Sequence, residues 1–328
     1  MDFDLSRLNT IRLRETPPEA DEYLELVDTA IKTMENVDPL LRPRDSSGNA
    51  GGLLWLTGGI PTVIIPDLHA RRTFFYDILH YRYRGQTTIL DALAEGSIRV
   101  VCVGDGFHSE RHAMFRWLTA YEEVKSNLLD GPALTAEIAE SMGLMEMVME
   151  CIIAFPNNFF FLKGNHENIL NNNENGNHPF RKYADEGEMF YTFFMKRFGV
   201  DFTMQYALFE QTLPLFAVGE RFIVSHAEPR RFYDEEDIID ARHRPQVIEE
   251  LTWTENGGSE EGTVERMLSA FLPNVADSLY FGGHRPVADM YALRASDRYV
   301  QIHDPVSGTF ALVPSDRPFD FEHDFRSV

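Results

Sequence analysis

Beyond Pro61 the chain repeats one pattern, a short unbroken apolar run that stops abruptly in polar or glycine residues. The runs cover residues 62–65, 99–103, 159–162, 222–224 and 278–281. Apolar runs this short, without polar alternation, suit strands buried on both faces. Between the first three lie longer stretches of helical character at 71–83, 111–127 and 134–154. The order strand, helix, strand predicts an α/β layout, in which the loops at strand ends carry the chemistry.

The flanks of this pattern differ. Pro17-Pro18-Glu19-Ala20 opens a helical pattern with Leu24, Val27, Ile31 and Met34 on one face, and a Pro/Gly/Ser-rich link follows at 39–52. Residues 1–52 are therefore expected to form a helical appendage and linker packed on a main domain of residues 53–328. Toward the C-terminus, residues 215–218 and 222–224 read as a hairpin across Gly219-Glu220, and 299–302 and 310–313 as another across Ser307-Gly308. The predicted sheet is thus mixed, not purely parallel. Asn-rich residues 168–177 and the acidic run 234–240 read as surface loops, and there is no internal repeat.

Composition narrows the setting. The 328 residues carry 30 Lys+Arg against 52 Asp+Glu, a formal charge of -22, with no basic run. Binding to a nucleic-acid backbone or an anionic membrane surface lacks an electrostatic driving force. With 44% hydrophobic residues and 25 Phe, the chain has ample material for a core. Cys102 and Cys151 both sit in apolar runs, which excludes a disulfide framework or a Cys-ligated zinc site. The polar start at 1–13 lacks the form of a secretory signal. The two most apolar stretches, 51–68 and 145–162, are interrupted before reaching the ~20 residues of a spanning helix. A cytoplasmic protein is expected.

Five strand ends finish in metal-ligand residues: Pro66-Asp67-Leu68-His69, Gly104-Asp105-Gly106, Gly164-Asn165-His166-Glu167, Ser225-His226-Ala227 and Gly282-Gly283-His284. Asp67 and His69, two residues apart, can share one ion. The glycines let the backbone turn sharply beside an ion or phosphate. A carboxylate such as Asp105 can bridge two cations, and an Asn oxygen with neutral imidazoles suits Mn, Fe or Zn.

This ordered set resembles the calcineurin-like metallophosphoesterase superfamily, and within it the phosphoprotein phosphatase (serine/threonine phosphatase-like) branch. The resemblance runs from about Thr62 to Val313, and Leu251-Thr252-Trp253-Thr254-Glu255 looks like that branch's Leu-Trp-Ser/Ala-Asp-Pro stretch. It implies a four-layer fold, a central mixed β-sandwich flanked by helices. It also implies two transition-metal ions, Mn, Fe or Zn. Asp67 and His69 would hold the first, Asp105 would bridge, and Asn165, His226 and His284 would hold the second. The implied reaction is hydrolysis of a phosphomonoester, including phosphoprotein, by a metal-bridging hydroxide with His166 as general acid.

The departures from the family pattern concern the residues around the ligands. The family's Gly-Asp-x-x-Asp-Arg-Gly has no second Asp here, so either Glu110 or His108 substitutes for it in orienting His166 or that role is lost. Lys163 and Glu261 stand where phosphate-binding arginines are usual, which leaves Arg111 and Arg285, with Arg71 behind them, as replacements. His80, His112, His178, His243, His303 and His323 match no motif. The alternatives are a phosphodiesterase, a dinucleotide polyphosphate hydrolase, or a non-catalytic metal-binding scaffold. Against a diesterase, Arg285-Pro286 follows His284 where a further metal-binding His would be usual. The inserts 127–149 and 168–188 name no substrate.

Overall fold

The computed structural model describes residues 5–110 and 113–328. In chain order its strands are β1 (Leu53–Trp55), β2 (Thr62–Ile65), β3 (Arg82–Arg84), β4 (Thr87–Thr88), β5 (Arg99–Cys102), β6 (Phe159–Phe161) and β7 (Phe216–Val218). They continue with β8 (Phe222–Ser225), β9 (Leu279–Gly282), β10 (Ala292–Arg294), β11 (Tyr299–Gln301), β12 (Thr309–Val313) and β13 (Phe325–Ser327). A six-stranded sheet runs β1-β7-β8-β9-β11-β10 and a five-stranded sheet β13-β12-β2-β5-β6, with β3 and β4 forming a separate hairpin.

The apolar runs lack alternation because both faces of each sheet are covered. Along β2, Ile64 points into the space between the sheets, whereas Val63 and Ile65 meet helices; along β5, Val101 points inward and Val100 and Cys102 outward. Ile64, Val101, Val224, Phe281 and Val300 meet in that inter-sheet core, each burial stabilising the fold by roughly 1.5–3 kcal/mol. Helices Ala20–Glu35, Pro132–Ala154 and Val200–Thr212 contribute to the core on the outer face of the five-stranded sheet. Helices Glu235–Ile239, Pro245–Thr252 and Thr263–Phe271 cover the six-stranded one. The result is the expected four-layer sandwich. Among the described residues, no helix is long and apolar enough to cross a membrane.

Strands β2, β5 and β6 are mutually parallel, as are β8 and β9. Within each sheet the C-terminal ends of these strands therefore share an edge, and the five ligand-bearing loops leave from those ends. The hairpin of β7 with β8 is present. The second expected hairpin is not. β11 pairs with β9 and β10, whereas β12 pairs with β2 and β13. Val300 and Ile302 face Ala311 and Val313 across the inter-sheet core, so Ser307-Gly308 lies on a crossing between layers. The acidic run 234–240 is likewise not a loop. It forms the helix Glu235–Ile239, because Asp234 and Asp237 exchange capping hydrogen bonds with each other's amides and Ile238 is buried beneath.

The N-terminal helices share the core of the main body. Leu8, Ile11, Tyr23, Val27 and Met34 belong to the same apolar cluster as Phe75, Trp117 and Met145. Both cysteines are buried and unpaired.

Candidate metal centre

The loops turn sharply where the chemistry sits. His69, Asp105 and His284 have φ of 40°, 54° and 65°. Left-handed backbone in non-glycine residues costs on the order of 1–3 kcal/mol and persists only when neighbours hold it. Here the loops hold one another. The His69 N–H donates to the Asp105 carbonyl at 2.7 Å and the Gly283 N–H to the His226 carbonyl at 2.7 Å. The His284 N–H donates to Asp67 Oδ1 at 2.9 Å, and the His166 N–H to Asp105 Oδ1 at 3.0 Å. A Cβ on Gly164 would overlap Asp105 Oδ1, and one on Gly283 would overlap Asp67 Oδ2. These two glycines are needed for close approach to the carboxylates.

The side chains of the motif residues converge, and the rings of His69 and His226 each hold one nitrogen in a hydrogen bond to a main-chain carbonyl. His226 donates Nδ1–H to the Val103 carbonyl at 2.9 Å. The lone pair of the neutral ring on Nε2 is then aimed at Asn165 Oδ1, 2.9 Å away, and Asp105 Oδ1, 3.5 Å away. His69 repeats the arrangement. Its Nδ1–H donates to the His108 carbonyl at 3.1 Å, leaving Nε2 to face Asp105 Oδ2 at 3.6 Å and Glu110 Oε1 at 3.5 Å. Lone pairs facing oxygens repel unless a cation lies between them. His284 Nδ1 lies 2.9 Å from the same Asn165 oxygen. Its Nε2 and Asp67 Oδ2 are buried without a hydrogen-bond partner.

Electrostatics agree with this reading. Burial pushes the Asp105 carboxyl well above the carboxylate range, with Asp67 and Glu167 adding to it, and burial raises Asp67 as well. Burial holds His69 and His226 well below their ordinary value, and lowers His284 to about 4. Neutral imidazoles and carboxylates that resist ionising without a counter-charge form a donor set suited to borderline cations.

No family model and no curated protein matches this sequence. Among solved structures, a protein serine/threonine phosphatase from Saccharomyces cerevisiae with similarity to human phosphatase PP5 aligns with a TM-score of 0.55. The match covers 90% of this chain and 82% of that one at 13% identity. The chain shares the fold of that protein. A cold-active protein-tyrosine phosphatase of a psychrophilic Shewanella aligns with a TM-score of 0.46 and 14% identity, over 79% of this chain and 76% of that one.

Within this fold the surroundings of the six residues depart from the sequence reading. His166 reaches the centre, with Nε2 3.9 Å from Asp105 Oδ2 and its ring stacked on Phe180 at 4.5 Å. Burial, then His69 and His108, lower its pKa well below the usual value. His108 occupies the place of the missing second Asp and lies 5.1 Å from the His166 ring, with its Nε2 3.4 Å from Glu186 Oε1. Glu110, the other candidate for that role, instead faces His69, His303 and Lys182. Glu167 accepts amides from both the Asp105 and Asn165 loops.

Among the arginines, Arg285 stands beside the centre with its guanidinium paired to Glu255. Arg71 spends its donors on the carbonyls of Leu68, Asp304 and Asp67. Lys163 is buried and donates to the Glu167 carbonyl. Arg111 lies outside the described residues. Sequence reasoning missed His303, Lys182 and Glu186. His303 stands just after β11, and the strand-end position was its one signal.

Proposed function

We propose that this protein is a two-metal phosphatase hydrolysing phosphomonoesters, its substrate a phosphorylated protein or small molecule. The observation that carries the reading is the ring of lone pairs on His69, His226, Asn165, Asp67 and Asp105 aimed at one another in the fold of a serine/threonine phosphatase. Asp67 and His69 would hold the first ion, Asn165, His226 and His284 the second, with Asp105 between them. The ions, when bound, supply Lewis acidity that lowers the pKa of a water and offsets charge on the phosphoryl oxygens.

The rest falls to the chain's own residues. His166 Nε2, on the edge of the centre, would deliver a proton to the leaving oxygen, the negative charge of a bound phosphate offsetting the burial that otherwise keeps the ring neutral, and His108 with Glu186 behind it would restrain the imidazole. A terminal phosphate meets Arg285 once the pair with Glu255 opens, and Lys182 by release from Glu110. The unpaired buried thiols suit a cytoplasmic setting.

The test is a substrate panel after loading with Mn, Fe or Zn. Mono-aryl phosphate should be hydrolysed faster than bis-aryl phosphate, and His166→Asn should slow alkyl phosphates by roughly 10²–10⁴ while sparing metal content. Faster turnover of the diester, or of a dinucleotide polyphosphate, transfers the reading to those classes. No turnover of any of them by a protein holding two ions makes it a metal-binding scaffold.

A further inference from the structure

We propose that His303 is itself a metal ligand, its Nδ1 completing the coordination of the ion that Asp67 and His69 hold, with Glu110 fixing its ring from the other side. The inference rests on the two-metal reading above. No motif marked this residue, and its surroundings carry the argument.

His303 is fully buried, and its ring centroid lies 5.1 Å from that of His69. Its Nδ1 is 3.4 Å from Asp67 Oδ2, and neither atom has a hydrogen-bond partner. Its Nε2 is 3.2 Å from Glu110 Oε2, in hydrogen-bond contact. The ring therefore repeats the arrangement of His69 and His226. One nitrogen is tied to an oxygen that fixes the tautomer, and the other points its lone pair at an oxygen of the centre. A ligating His whose second N–H is held by a carboxylate is a recurrent device for orienting the ring and raising its basicity. Asp67, His69 and His303 also bring one donor atom each within 4.8 Å of one another, as a shared ion requires.

The rival account makes His303 a structural bridge between two carboxylates. It needs an N–H on both ring nitrogens, and the Nδ1 contact to Asp67 does not meet hydrogen-bond geometry.

The test uses Co²⁺ as the probe, read by elemental analysis, titration and visible absorption. The parent should take up two Co²⁺. His303→Ala should lose one ion, or bind it at least ~10-fold more weakly with altered absorption bands, and keep the other. Glu110→Gln should weaken the same ion by roughly 10–100-fold. His303→Cys should show a thiolate-to-cobalt charge-transfer band, which arises only if position 303 touches the ion, and which remains readable if His303→Ala folds poorly. Two ions bound to His303→Ala with parental affinity and spectrum, or no charge-transfer band in a folded His303→Cys, would overturn the ligand assignment while leaving the two-metal reading intact. Fewer than two ions in the parent would overturn the two-metal reading, and this proposal with it.

Discussion

Glu167 shows how much of the centre depends on a residue that touches none of the chemistry. Its carboxylate accepts the amides of Gly164 at 2.6 Å, Gly106 at 2.8 Å and Asp105 at 3.0 Å. It thereby fastens the loop after β5 to the loop after β6, and so sets Asp105 against Asn165. In Glu167→Gln one oxygen becomes an NH₂ that faces amide donors. We expect a loss of about 1.5–3 kcal/mol in urea unfolding, because a charge-assisted acceptor disappears. Metal uptake should weaken along with it. An unchanged unfolding midpoint and metal content would mean that the two loops hold their positions without this carboxylate. At this scale the six residues that converge at the centre were legible because each sits in a short motif with its own glycine or strand end. His303, Lys182 and Glu186 were not, because their meaning comes from partners far away in the chain. His303 meets Glu110 across 193 residues and Asp67 across more. No local pattern records such a meeting.

Among the elements, the inner strands were the most legible and the connections between layers the least. An unbroken apolar run says that both faces are covered, but it does not say which sheet the strand joins. That is why β11 and β12 read as a hairpin although they lie in different sheets. The acidic helix Glu235–Ile239 failed for a different reason, since its charges hid a capping box around a single buried Ile238. The helix Ala20–Glu35 was visible by its spacing, yet its role is larger than that of an outer layer. Tyr23 is buried, stacks on Phe202 and Tyr206 with ring centroids 6.0 and 6.2 Å apart, and donates its hydroxyl hydrogen to the Met142 carbonyl at 3.4 Å. Tyr23→Ala should therefore cost about 3–5 kcal/mol, as for other large aromatic truncations in a core. A cost below about 1 kcal/mol would make the helix a dispensable appendage. The measurement is a urea denaturation curve with an unchanged m-value.

Across the whole molecule two kinds of negative charge act, and they respond to different cations. The formal charge of -22 is spread over the chain, and monovalent salt screens whatever part of it lies at the surface. Asp67 and Asp105, by contrast, are buried beside one another, out of reach of diffuse counter-ions. Sodium chloride should thus raise thermal stability by similar amounts in the parent and in Asp105→Asn. Mn²⁺ at low, fixed ionic strength should raise it far more in the parent. An ion bound only by the folded state adds RT ln(1 + [L]/Kd), about 2.7 kcal/mol per site when free Mn²⁺ is 100 times Kd. Asp105 faces both groups of ligands, so Asp105→Asn should lose most of that increment for both sites, and a chelator should return the parent to the level of the variant. If Mn²⁺ stabilises parent and variant equally, the ion is acting on the surface charge. The buried carboxylates would then be neutral by protonation, as their raised pKa values allow, and the centre would have no need of a bridging ion.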